Sequence, residues 1–106
     1  ITVGGKRASL ADLNGKLTAI EGVRDGVFVA PDGARAPVGR LAVIAVAPGL
    51  TRQSLIAGLA GRIDPAFYPR RVVFVDRLPR NEAGKLPREG LLRLVETSTR
   101  GEQDAD

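Results

Sequence analysis

The chain contains no cysteine, no histidine, no methionine and no tryptophan. Without cysteine, disulfides are excluded and nothing points to a redox compartment. Without cysteine and histidine together, thiol and imidazole nucleophile systems and the usual zinc sites are excluded as well. Any chemistry falls to lysine, arginine, the acids, Tyr68 or the backbone, and no metal site is expected. One tyrosine and three phenylalanines leave little surface for stacking single-stranded bases, so nucleic acid is not an expected partner. No apolar run approaches the roughly 18 residues a membrane span requires, and no signal-peptide pattern is present. With methionine absent and Ile1 opening directly on a strand-like pattern, the chain reads as a piece of a longer polypeptide.

What is present suits one globular domain. The length is 106 residues, with 43% hydrophobic residues and 26% charged; mean hydropathy is −0.02. That length corresponds to a single domain with a modest core. The net charge is +4. Leaving out Thr97 onward, fifteen basic residues stand against nine acidic ones, giving +6. A small basic domain takes nucleic acid, a membrane surface or an anionic ligand. Here the cations are scattered, with local concentrations only at Arg70-Arg71 and Arg77/Arg80.

Apolar periodicity divides the chain into alternating elements. Residues 1–8 predict a short strand or hairpin, with Gly4-Gly5 permitting unusual backbone angles. Ser9 is a good N-cap with Asp12 at the capping-box spacing. Leu10, Leu13, Leu17 and Ile20 then share one helical face, which Gly22 ends. Val23 to Ala30 reads as a strand, Pro31-Asp32-Gly33 as a turn, and residues 34–39 as a loose connection. Leu41 to Ala47 is continuously apolar, the pattern of a central strand covered on both faces. Thr51 caps a second helix with Leu55, Ile56, Leu59 and Ile63 inward, closed by Asp64-Pro65. Arg71 to Asp76 is a third strand. Pro87 opens a last helix whose buried stripe is Leu91, Leu92, Leu94 and Val95. The expected fold is therefore α+β: a β-α-β-β-α-β-α domain, with a mixed sheet of about three strands packed with helices and a short N-terminal hairpin. Residues 1–96 form the domain and 97–106 a disordered tail.

One loop stands out. Leu78 to Arg88 is polar and glycine-bearing, lies between a strand and a helix, and carries one of only three lysines against thirteen arginines. Lysine is a compact charge on a flexible stem, where arginine is a planar fork. A slender cation that must enter a crowded site is best made from lysine; otherwise Lys85 is a plain solvated charge.

Pro79-Arg80, Gly84-Lys85 and Arg88, in that spacing, resemble the closing motif of the adenylate-forming enzymes. These include acyl-CoA synthetases, aryl-CoA ligases, luciferases and peptide-synthetase adenylation domains. Their motif runs P-(K/R)-(T/N)-x-(S/T)-G-K-(I/V)-x-R near the end of a small C-terminal domain. The segment from Ile1 to Leu13 is similar to a second family run, with Gly5 at its glycine and Arg7 at its arginine. Ile20 to Val29 resembles the strand that follows. The sequence departs from the family at Thr2, often lysine there, at Asn14, where the second acid stands, and at Ala83, where the family has serine or threonine.

The resemblance implies the mobile lid domain of an ATP-dependent acyl or aryl ligase, acting in the cytoplasm. The ligase would form an acyl-adenylate with ATP and Mg2+ and then a thioester with CoA or the phosphopantetheine of a carrier protein. Lys85 would be the catalytic cation. Pro79, Arg80, Asn81, Gly84 and Arg88 would shape its loop. Gly4, Gly5, Lys6 and Arg7 would line the thiol tunnel, with a hairpin turn the alternative for Gly4-Gly5 and an ion pair or helix-end contact for Arg7. No GxxxxGK(S/T) phosphate loop is present, so the nucleotide would be held mainly by the family's N-terminal adenylation domain, the expected partner. The chain alone is then inactive. The rival expectation is a non-catalytic basic module that docks an acyl-carrier or other acidic protein through Arg70, Arg71 and Arg77.

Overall fold

A strand that is apolar at every position can be buried only between two layers, and the rest of the fold follows from that requirement. In the computed structural model, which describes residues 1–33, 35–36 and 40–101, Ala42–Val46 is such a strand, buried at all five positions. Part of the expected connection (34, 37–39) and the end of the expected tail (102–106) lie outside the described residues.

In chain order the elements are β1 (Thr2–Val3), β2 (Lys6–Arg7), α1 (Leu10–Thr18), β3 (Asp25–Val29), β4 (Arg35–Ala36), β5 (Ala42–Val46), α2 (Arg52–Leu59), β6 (Arg71–Phe74) and α3 (Arg88–Gly101). A 3-10 turn, Pro65–Phe67, precedes β6. The main sheet runs β3-β5-β6. β3 is antiparallel to β5, from Asp25↔Val46 to Val29↔Ala42, and β6 is parallel to it, from Ala42↔Arg71 to Ala45↔Phe74. The parallel pair requires a crossover, which α2 supplies. This is the α+β architecture expected from the periodicity.

Alternation along the strands separates two cores. Phe28, Val43, Ala45 and Val72 pack with Leu13 and Leu17 of α1 and Leu55 and Leu59 of α2. Val27, Val29, Ala42, Ile44 and Val73 pack with Leu91 and Val95 of α3. The sheet thus has α1 and α2 on one face and α3 on the other. The contact between α1 and β3 is close. A Cβ at Gly26 would lie 2.8 Å from Cδ2 of Leu17, and Leu17 is fully buried.

Local signals placed the helix starts. The Ser9 hydroxyl accepts the Asp12 N–H at 2.9 Å, while the Asp12 carboxylate pairs with Lys16 at 3.3 Å and does not close the box. Thr51 and Ser54 form a reciprocal capping box. Five expectations shift. The first helix ends at Thr18, before Ile20 and Gly22 are reached. The second helix ends at Leu59, because Gly61 takes the left-handed conformation at φ 83°, before Asp64-Pro65 is reached. The strands around Asp25 and Phe74 are shorter than Val23–Ala30 and Arg71–Asp76. Arg35–Ala36, assigned to a loose connection, pairs parallel with β1. Finally, α3 continues to Gly101. No proline lies between Arg88 and Gly101, and each added residue of a formed helix gains a hydrogen bond.

The two glycines of this packing give opposite predictions. Gly26→Ala overpacks the contact with Leu17 and is expected to lower stability in urea unfolding by about 1–3 kcal/mol. Gly15 is exposed in mid-helix, and a Cβ added there would meet nothing within 4 Å, so Gly15→Ala is expected to raise stability by up to about 1 kcal/mol.

Candidate functional site

The lysine loop is fastened at both ends by apolar residues. Leu78 is buried and Leu86 half-buried, both in the core beneath α3. Pro79 lies close to α3, its Cγ 3.9 Å from where a Cβ on Gly90 would be. Between these anchors, Arg80 to Lys85 are exposed. A loop held only at its ends would be free to sample many shapes, and two polar side chains hold this one.

Asn81 closes the tip. Its Oδ1 accepts the backbone N–H of Ala83 at 2.9 Å and of Lys85 at 3.0 Å. Its own N–H donates to the Lys85 carbonyl, and its carbonyl accepts from Gly84, both at 2.8 Å. A short amide side chain suits this folding back onto the local backbone. The turn requires a left-handed residue, and Gly84 provides it at φ 81°. The Ala83 N–H is satisfied without the hydroxyl that the family pattern carries at that position.

Arg80 ties the tip to the sheet. Its Nη1 donates to the Gly84 carbonyl at 3.2 Å, and its Nη2 reaches both oxygens of Asp25 at 3.0 Å. Asp25 is the first residue of β3 and also accepts the Gly26 N–H at 2.9 Å. At the other end of β3, Nη2 of Arg88 donates to the Ala30 carbonyl at 3.0 Å. The motif therefore lies alongside β3, which is an edge of the main sheet. On that edge Asn14 of α1 also accepts the Phe28 N–H at 2.7 Å.

The three lysines differ in their surroundings. Lys6 pairs with Asp64 at 3.2 Å and Lys16 with Asp12. Among the described residues, no carboxylate pairs with Lys85. An unpaired cation at the tip of a loop with a fixed backbone is available to an external anion.

Gly4 and Gly5 form the two-residue turn of the β1–β2 hairpin, with Val3 opposite Lys6. Both take positive φ, 56° and 86°, as such tight turns demand of their central residues. The turn thus accounts for both glycines. Lys6 is tied to Asp64, just before the 3-10 turn that leads into β6. Arg7 borders an open groove of about 410 Å³ with Arg62 and Tyr68. The hairpin and the lysine loop are therefore anchored to different parts of the sheet. The hairpin is tied to the chain entering β6, and the loop to the start of β3 beside the last residue of β5.

Sequence reading missed the long-range contacts of Asp25, Asn14 and Asp64. Each reaches a partner distant in the chain, which no local spacing marks. Among the described residues, no group of three or more acids could hold a metal ion. No described helix is long and apolar enough to cross a membrane.

Known proteins share both sequence and fold with this chain. It is 37% identical over 98 residues to an isonitrile lipopeptide synthase from Streptomyces coeruleorubidus, covering 88% of this chain and 6% of the relative. It is 37% identical over 93 residues to a CoA ligase for a methyl-dioxo-octahydroindenyl propanoate from Mycobacterium tuberculosis, covering 86% and 18%. Thus it spans less than a fifth of either relative. In fold it resembles apo MatB from Rhodopseudomonas palustris at a TM-score of 0.70 and 24% identity, over 97% of this chain and 20% of that one. A similar match is O-succinylbenzoate coenzyme A synthetase from Bacillus subtilis, at 0.68 and 21%, over 86% and 18%. No family model matches the chain.

Asp64 supplies a pH prediction. The Ala66 N–H, then Lys6, hold its carboxyl below the ordinary value of 3.8, against a smaller opposing effect of burial. A depressed folded value stabilises the fold above the unfolded value, and that contribution disappears as pH falls through the folded one. The tie to the hairpin is thus expected to be complete at neutral pH and to be lost only as pH falls below 3.8, through the depressed value. An acid titration of the Ala66 amide resonance should show this step, and Asp64→Asn should remove it.

Proposed function

We propose a function from one premise: the chain belongs to the adenylate-forming enzymes, as their small C-terminal domain. It is the mobile lid of an ATP-dependent acyl or aryl ligase, and the remainder of that ligase holds the nucleotide. The supporting observation is Lys85, the lysine without a carboxylate partner among the described residues, carried on a loop whose backbone Asn81 and Arg80 hold in place.

The reaction explains why such a cation is needed. In the first half, a substrate carboxylate attacks the α-phosphorus of ATP, pyrophosphate leaves, and an acyl-adenylate remains. Negative charge is spread over phosphate and carboxylate oxygens in the transition state. A placed cation stabilises that charge electrostatically and need not reorganise to do so. Lys85 has this role at the carboxylate and α-phosphate. In the second half, a thiol of CoA or of a carrier protein's phosphopantetheine attacks the acyl carbon and AMP leaves. The Gly4–Arg7 hairpin serves this step after the lid rotates. Its anchorage away from the lysine loop suits a domain that presents two segments in turn. Without a phosphate loop in its sequence, the chain alone does not form adenylate, and Mg2+ is held mainly by the remainder of the ligase.

A second reading is a non-catalytic basic module that docks an acidic partner such as an acyl-carrier protein. What favours it is exposed Arg70, which lines an open groove of about 330 Å³ with Arg40 and Arg71.

Carboxylate-dependent ATP–pyrophosphate exchange by the polypeptide that carries both domains separates the two readings. Lys85→Ala is expected to slow exchange about 100-fold or more, on the order of 3 kcal/mol, with the protein still folded. Unchanged exchange, with activity lost instead in Arg70→Glu, supports the docking module. The 106-residue chain alone is expected to show no saturable ATP binding below millimolar concentration by calorimetry.

A further inference from the structure

We propose that Asp25 is a positioning residue for Lys85, acting through Arg80; this rests on the adenylation role given to Lys85 above. The geometry forms a continuous path. The Asp25 carboxylate is held to the sheet by the Gly26 N–H at 2.9 Å. Both of its oxygens accept Nη2 of Arg80 at 3.0 Å. Nη1 of the same guanidinium donates to the Gly84 carbonyl at 3.2 Å, on the peptide bond that leads into Lys85. The planar guanidinium fixes the angle between these two contacts, which a lysine at position 80 could not do.

The path matters because of where the loop is weak. Leu78 and Leu86 hold its ends in the core, and the Asn81 bonds are internal to the tip. Internal bonds keep the shape of the tip but do not orient it on the domain. Between the two apolar anchors, Arg80 to Asp25 joins the loop to the sheet across 55 residues of chain. An exposed ion pair adds little to stability. A charge-assisted contact to a fixed strand nevertheless restricts direction, and a small misplacement of a reacting group is expensive in rate. Asp25 therefore affects the placement of the cation much more than the stability of the domain.

The test is a double-mutant cycle in pyrophosphate exchange with the two-domain polypeptide, paired with amide hydrogen exchange on the 106-residue chain. Asp25→Asn is expected to lower the exchange kcat between about tenfold and 100-fold, with KM for ATP little changed. In a Lys85→Ala background the same substitution is expected to have no further effect, because a positioning residue acts only through the group it positions. Arg80→Lys should reproduce Asp25→Asn. The amides of Gly84 and Lys85 should exchange faster in both variants, while those of β5 stay protected. Additive losses in the Lys85→Ala background, or unchanged Gly84 and Lys85 amide exchange, overturn the positioning role. If Lys85→Ala itself leaves pyrophosphate exchange intact, the adenylation reading fails and the positioning role with it; faster amide exchange then marks Asp25 as a loop fastener only. If Asp25→Asn does not fold, Arg80→Lys carries the same cycle.

Discussion

Burial of β5 on both faces is the constraint from which the rest of the domain follows. Ala42, Val43, Ile44, Ala45 and Val46 have no polar side chain to turn toward water, so each face needs its own cover. The cover on one side is α1 and α2, and on the other α3. That demand explains why an 11.2 kDa chain builds three layers around a sheet of only three strands. It also sets where polar chemistry can sit. The faces are occupied by helices, so the outer edges of β3 and β6 and the connections at the strand ends are what remain.

The lysine loop uses that remaining space. Its apolar ends enter the core beneath α3, and its polar middle lies along the β3 edge. Polar contacts run along that edge from Asp25, through Asn14 at Phe28, to Arg88 at Ala30. An open strand edge invites pairing with another chain, and here side chains occupy it. The edge thus serves the fold and the proposed chemistry together, since the groups that cover it also hold the loop that carries Lys85. Surface ion pairs of this kind contribute little to stability, and their value lies in direction.

Legibility in the sequence tracked distance along the chain. The caps at Ser9 and Thr51, the turn at Gly4-Gly5 and the doubly covered strand were all readable, because each depends on residues within a few positions. Element ends were less readable. Gly61 stopped α2 before the stronger-looking Asp64-Pro65 did, and Arg35–Ala36 became a strand only because β1 lies beside it. At the candidate site, the motif residues stood out through their spacing. The Asn14 contact was not readable, and that residue had appeared only as a departure from a family pattern. In the fold its amide oxygen accepts the Phe28 N–H, an acceptor role that a carboxylate would also satisfy.

The amino-acid sequence by itself determined the α+β class, the two faces of β5, the helix starts and the loop that presents Lys85. Period, capping and turn chemistry are local properties, and water enforces them wherever the chain happens to be. Only the tertiary structure decided that Arg80 meets Asp25, that Arg88 meets Ala30, that Lys6 meets Asp64, and that Lys85 is left without a carboxylate among the described residues. Those outcomes depend on which charged and polar groups packing brings within about 3 Å of each other. Acids and bases are spread through the chain with no pattern that marks their partners, and the core positions them through contacts in which they take no part.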